Sequence, residues 1–169
     1  MKTSIFKILF ISILCPVLMA ASCSSDDDGN QDNNPTFDPV TIDLSNIPIG
    51  LDDTAFEVQG YSFEAFRVEP NPSEVYPGLL LAYPQDGNAS YIELDLSQAS
   101  GVSSITARIF INSQTPITFY NGEQVVDEIF AVNDTEDIFE DNSYQLNGQT
   151  ITSVRISSYE AIVESITLE

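Results

Sequence analysis

Between Phe37 and Glu169 no segment keeps a helical period long enough to make a helix, and short runs of Ile, Val, Thr, Phe and Tyr recur between turn residues instead. Such runs predict strands over 40–44, 61–68, 79–83, 91–97, 104–112, 117–120, 125–132, 143–146, 150–157 and 162–168. Two of them alternate cleanly. Ile92, Leu94 and Leu96 share one face, with Tyr91, Glu93 and Asp95 on the other; Ile105, Ala107, Ile109 and Ile111 oppose Thr106, Arg108, Phe110 and Asn112. Alternation of this kind belongs to antiparallel strands with one face in a core. Pro77-Gly78, Asp86-Gly87-Asn88, Asn121-Gly122 and Asn147-Gly148 punctuate the runs. The last two predict hairpins, because Asn and Gly tolerate the positive φ of a type I′ turn. The expected fold class is all-β, an antiparallel β-sandwich or jelly roll.

The N-terminus has a different character. Lys2 and Lys7 precede an apolar run over 8–19, and the small residues Ala20, Ala21 and Ser22 follow it. That is the charged, apolar and cleavage pattern of a signal peptide. The run is shorter than the ~20 residues a spanning helix needs. Cys15 follows the bulky Ile13 and Leu14, whereas Cys23 follows small residues, so cleavage is expected before Cys23. Ala20-Ala21-Ser22-Cys23 resembles a lipobox, with Ala20 where Leu is usual, and the resemblance implies lipidation of Cys23. Residues 1–22 are then a lipoprotein signal peptide, 23–36 the lipidated cysteine with an acidic, disordered tether, and 37–169 one folded domain. The segment Ser25-Asp26-Asp27-Asp28 resembles the export signal of surface lipoproteins of Bacteroidota, which implies an outer-membrane protein held by its lipid anchor at the cell surface. A solvated spacer on the periplasmic side has the same composition.

Removal of the signal leaves Arg67, Arg108 and Arg155 as the cations against 26 acidic residues. A chain so charged does not bind nucleic acid or anionic lipid, which need clustered Lys and Arg. With Cys15 gone, no intramolecular disulfide can form. The remaining chain also lacks His, Lys, Trp and Met. It therefore has no imidazole for a catalytic triad, no lysine for a Schiff base and no His or Cys set for zinc. A carboxylate pair, as in glycoside hydrolysis, is the enzyme chemistry left open. No spacing marks one pair among the acids, and the expectation is a protein that is not an enzyme.

The opening Thr41-Ile42-Asp43-Leu44 with Ile47-Pro48-Ile49-Gly50, the central Tyr91-Ile92-Glu93-Leu94-Asp95-Leu96-Ser97 and the closing stretch from Ser157-Ser158-Tyr159 to Ile166 are similar to galactose-binding-like jelly rolls and the carbohydrate-binding modules built on that sandwich. The resemblance implies a structural calcium joining an early acid to one on the last strand, here Asp43 or Glu57 with Glu164. Glu164 shares parity with Ile162, Ile166 and Leu168, so a regular strand would aim its carboxylate at the core at high cost. Either a bulge turns it outward or something neutralises it. Carbohydrate modules stack sugar rings on aromatic faces. With no Trp, the candidates are Tyr76, Tyr83 and Tyr120 beside turns, and Phe110 with Arg108 on the outer parity of their strand; aromatic rings also pack cores. The expected function is a binding or adhesion module for extracellular glycan. The alternative is a structural or accessory subunit docking on an envelope protein complex, with a carboxylate-based glycoside hydrolase behind both.

Replacing Cys23→Ala is expected to abolish lipidation, so that the protein no longer sediments with membranes after a carbonate wash. Retention of the variant in the washed membranes would contradict the anchor.

Overall fold

The computed structural model describes residues 37–133 and 138–169. Cys23, Ser25, Asp26, Asp27 and Asp28 lie outside them. The described chain is all strand and turn, with β1 (Val40–Asp43), β2 (Ala55–Val58), β3 (Tyr61–Phe66), β4 (Glu69–Pro70), β5 (Leu79–Leu81), β6 (Ser90–Asp95), β7 (Ser104–Ile111), β8 (Pro116–Asn121), β9 (Gln124–Phe130), β10 (Glu140–Gln145), β11 (Ser153–Ser158) and β12 (Ala161–Leu168). They form two six-stranded antiparallel sheets. The first runs β10-β7-β12-β5-β4, with β1 also paired to β12; the second runs β2-β3-β6-β11-β8-β9. This is the antiparallel sandwich that the alternation predicts.

The core lies between the sheets. Ile42, Leu79, Leu81, Ile105, Ile109 and Ile166 enter from the first and Ile92, Leu94, Ile117, Phe119 and Ile156 from the second, all with at most a few percent of their surface exposed. Full burial of each such side chain is worth about 1.5–3 kcal/mol, which is what the described residues, with no cysteine among them, must rely on. The two alternating runs behave as read: Ile92, Leu94 and Leu96 are buried, Tyr91 and Glu93 half-buried, and Asp95 exposed.

Strand β12 breaks the simple pattern. Against β7 its register jumps, with Val163 opposite Ile109 and Ser165 opposite Arg108, so Glu164 is the extra residue of a β-bulge. Before the bulge Ala161 and Val163 face the core; after it Ile166 and Leu168 do. The parity expected to bury Glu164 with Ile162 is therefore broken, and Ile162 pairs with Phe110 on the outer side. The bulge also divides the other edge of β12. Residues 161–163 pair with β5 and residues 165–168 with β1, while Leu44 N donates to Glu164 O at 2.9 Å across the break.

Two turn expectations change. The β8–β9 connection is the hairpin foreseen, but Asn121 pairs with Gln124 and Gly122 alone takes positive φ. Asn147 and Gly148 both adopt positive φ, and Gln149 N donates to Leu146 O at 2.8 Å. Yet the strands they join, β10 and β11, belong to opposite sheets, so this turn is a crossover and not a hairpin. Strands β2 and β4 add to the ten runs read from the sequence.

Gly78 sits against the bulge. A Cβ there would stand 2.4 Å from Val163 O and 3.0 Å from Glu164 Cα, both backbone, at φ 134°. Gly78→Ala is expected to cost roughly 2–4 kcal/mol, because neither contact can swing aside. Gly87→Ala, at φ 83° in open space, is expected to cost about 1 kcal/mol from backbone strain alone. Urea unfolding of the two variants checks both the order and the size of the difference.

Candidate functional site

The two outer faces of the sandwich differ. On the first sheet, Phe110 projects outward from β7 beside Ile162 of β12, and loop residue Tyr76 lies over it with ring centroids 5.3 Å apart. Phe139 closes the other side, 6.3 Å from Phe110 and edge-on. Phe139 and Ile162 are buried although neither belongs to the main core, so this is a satellite cluster capped by loops. Arg108 adjoins it, 5.9 Å from the Phe139 ring. Its Nε donates to Glu164 Oε2 at 2.6 Å and its Nη1 to Asp141 Oδ1 at 3.3 Å. The hydrogen bond to Glu164 is the main reason the guanidinium is held above its ordinary pKa. The structure thus sets Tyr76 against Phe110, with Arg108 nearby engaged by Phe139, Glu164 and Asp141.

Tyr83 lies elsewhere, just beyond β5. Its hydroxyl donates to Glu69, which raises the phenol above its usual pKa, and its carbonyl accepts from Arg67 Nε at 3.1 Å.

Glu164 is neutralised by Arg108, the outward turn being supplied by the bulge. Asp43 is near it in the sheet, opposite Ser165, but its Oδ1 accepts from Ser45 N at 2.8 Å and from Ser45 Oγ at 2.5 Å. Glu57 is on β2 at the edge of the other sheet. Among the described residues no three acidic side chains are grouped so as to hold a metal ion.

The outer face of the second sheet is open, and its register lays side chains in rows. Glu64 of β3, Glu93 of β6, Arg155 of β11, Thr118 of β8 and Glu128 of β9 are successive cross-strand partners. One step to one side lie Phe66, Tyr91 and Ser157; one step to the other lie Asp95, Ser153, Tyr120 and Val125. Period-two alternation puts all of them outside, because Ile92, Leu94, Val154, Ile156 and Phe119 between them fill the core.

Arg155 is the centre of this face. Its guanidinium lies 4.3 Å from the centroid of Tyr91 and 5.4 Å from that of Tyr120, both within cation–π range. Phe66 extends the aromatic surface, nearly parallel to Tyr91 at 5.8 Å. Glu93 Oε2 accepts from Arg155 Nε at 2.7 Å and faces Nη2 at 2.5 Å, while Glu93 Oε1 accepts from Ser153 Oγ at 2.5 Å. Burial alone would lower the guanidinium pKa; the hydrogen bond and charge of Glu93, together with Tyr120 and Tyr91, outweigh it and hold Arg155 above its ordinary value.

A recess flanks the ion pair on each side. One of about 310 Å³ is lined by Phe66, Asn88, Tyr91, Arg155 and Ser157. The other, about 390 Å³, is lined by Ser62, Glu64, Glu93, Asp95 and Ser153. Aromatic rings, hydroxyls, carboxylates and one guanidinium are thereby combined on a solvent-facing surface. A further cleft of about 310 Å³ at the end of the sandwich, between residues 96–102 and 146–152, has neither a charged side chain nor an aromatic ring in its lining.

Of the aromatic candidates read from the sequence, Tyr120 alone stands on this face. Phe66, Tyr91, Glu93, Ser153 and Arg155 were not foreseen as site residues. The signal was present for two of them, since Tyr91 and Glu93 alternate with the core run Ile92, Leu94 and Leu96.

No protein-family model matches the chain, and no curated protein matches it. Solved structures do. A tyrosine-to-alanine variant of CBM29-2, described in a work on ligand recognition by family 29 carbohydrate-binding modules, superposes with a TM-score of 0.51 at 11% identity, over 78% of this chain and 91% of that one. A lysine-to-alanine variant of the same module gives 0.51 at 10% identity with the same coverage. The family 29 module CBM29_1 from Piromyces equi gives 0.49 at 10% identity, over 77% and 89%. The first two place this chain in the jelly-roll β-sandwich fold of those modules.

Arg155→Met is expected to lower unfolding stability by about 1–2 kcal/mol, a range held down by the partial exposure of the pair. A double-mutant cycle with Glu93→Gln, read by urea denaturation, should return a coupling of about 1 kcal/mol. Additive effects would mean that the two side chains do not act as a pair.

Proposed function

We propose that this chain is a non-enzymatic glycan-binding module, tethered through lipid on Cys23 and the acidic segment after it to the outer membrane at the cell surface. The observation that carries the binding reading is the outer face of the second sheet, where Phe66, Tyr91 and Tyr120 border the Glu93–Arg155 pair beside two open recesses. Sugars offer an apolar C–H face and a rim of hydroxyls. Aromatic rings suit the first; the carboxylates and the Ser62, Ser153 and Ser157 hydroxyls suit the second. The fold shared with carbohydrate-binding modules supports the same reading.

The geometry offers little to hydrolysis. Glu64 and Glu93 are the closest carboxylate pair in register on the face, but they stand side by side on one sheet instead of across a cleft. Glu93 is moreover bound to Arg155 and Ser153, where a general acid must be free to exchange its proton.

Affinity electrophoresis through gels containing soluble polysaccharides tests the proposal. At least one polymer should retard the protein. Tyr120→Ala and Phe66→Ala should each weaken that retardation about tenfold or more while leaving the protein folded, each base–ring or sugar–ring stack being worth ~1–3 kcal/mol by analogy with stacking on aromatic platforms. Retardation unaffected by either substitution would remove this face as the site.

A further inference from the structure

An arginine at the centre of a sugar-binding face ordinarily points to a carboxylate or sulfate on the ligand, since its planar fork matches such groups. The surroundings of Arg155 point the other way. Its Nε and Nη2 both engage Glu93 Oε2, at 2.7 and 2.5 Å, so its charge is already matched. Glu93 cannot turn away easily, because Ser153 Oγ holds its other oxygen at 2.5 Å and its side chain is only 17% exposed. The guanidinium is further fixed between the rings of Tyr91 and Tyr120.

Around this neutral pair the face stays negative. Glu57, Glu64, Asp95 and Glu128 share it by register, and none forms an ion pair among the described residues. Neighbouring strands are about 4.8 Å apart and the Debye length at physiological salt is about 8 Å. An anionic group docked over Arg155 would therefore meet several unmatched carboxylates before it gained anything from the arginine. The N–H groups of Arg155 that Glu93 leaves free suit a neutral hydroxyl oxygen.

We infer that Glu93, by neutralising Arg155, sets the charge class of the ligand: the face takes glycans free of carboxylate and sulfate and rejects polyanionic ones. Glu93 is on this account a specificity-determining residue. The inference rests on the glycan-binding reading and adds to it which glycans are excluded.

The test uses the full chain in affinity electrophoresis against glucomannan and hydroxyethyl cellulose as neutral polymers and polygalacturonate and dextran sulfate as anionic ones. The unaltered protein should be retarded by a neutral polymer and not by either polyanion. Glu93→Gln frees the guanidinium and should raise affinity for polygalacturonate about tenfold, with the gain lost at high salt. The double variant Glu64→Gln, Glu128→Gln changes exposed carboxylates of the same face that take no part in the ion pair, so it decides the matter if Glu93→Gln fails to fold; it should show a smaller gain of the same sign. Retardation of the unaltered protein by polygalacturonate as strong as by a neutral polymer overturns the inference and leaves the glycan reading standing. A folded Glu93→Gln protein, or a folded double variant, without any gain overturns the role given to the carboxylates. No retardation by any polymer overturns the glycan reading and the inference with it.

Discussion

The first sheet depends on one extra residue. Strand β12 is the element that three others share: β7 lies along one edge for its whole length, and β5 and β1 divide the opposite edge. Glu164 sits at the division. Without a bulge there, a single parity would run through the strand, and either Val163 or Ile166 would have to leave the core. With it, both stay buried, the Glu164 carboxylate turns to Arg108, and its carbonyl accepts from Leu44 N at 2.9 Å. Gly78 is the counterpart. The chain entering β5 passes so close to Val163 O that no side chain fits between them. Bulge, glycine and arginine thus solve one packing problem together, that of docking two strands end to end against the edge of a third.

The second sheet has no such joint at its centre, and its outer face is correspondingly regular. Strands β3, β6, β11 and β8 keep continuous register, which is why their outward residues fall into straight rows. The bulge on this sheet lies at its margin, between Phe119 and Tyr120 against β9. The contrast decides which outer face is left open. Loop residue Tyr76 and the buried Phe139 roof the outer side of the first sheet around Phe110, whereas Tyr91 and Tyr120 of the second sheet are ordered by Arg155 from the row between them. A surface whose aromatic rings are fixed before binding loses less side-chain entropy when a ligand arrives.

The strands that could be read from the sequence were those whose two faces meet different solvents. In β6 and β7 apolar and polar residues alternate because one side meets the core and the other does not, and the composition carries that difference directly. Strand β2 was invisible for the opposite reason: Ala55 and Glu57 face outward, and only Phe56 and Val58 mark an inner face, too short a pattern to stand out. Strand β4 is two residues long and ends in Pro70. Asn147-Gly148 announced a turn correctly, but the local conformation of a turn does not say to which sheet the next strand goes; that is decided by the pairing of β11 with β6 and β8, far away in sequence. The site was less legible still. Arg155 pairs with Glu93 across 62 residues, and reaches Tyr91 on the same strand as Glu93 and Tyr120 on β8, a meeting that depends on strand order and leaves no mark in spacing. The candidates Phe110 and Arg108 had the right residue types on an outer parity, yet that parity is covered, by the loop that carries Tyr76 and by Phe139.

The charge of the chain acquires its meaning from how the cations are used. Each of the three arginines is committed within the fold: Arg67 to Tyr83 O and Gln85, Arg108 to Glu164 and Asp141, Arg155 to Glu93. Against 26 acidic residues, Arg108 and Arg155 meet Asp141, Glu164 and Glu93, and no lysine follows the N-terminal segment. The excess negative charge is thus not averaged away by mixed surface pairs, as on most soluble domains. It opposes the approach of a polyanion, so attraction at close range falls to rings and hydrogen bonds. The second sheet assembles those groups on its open side, and the arginine at their centre is there to order the rings, because its charge has already been answered by Glu93.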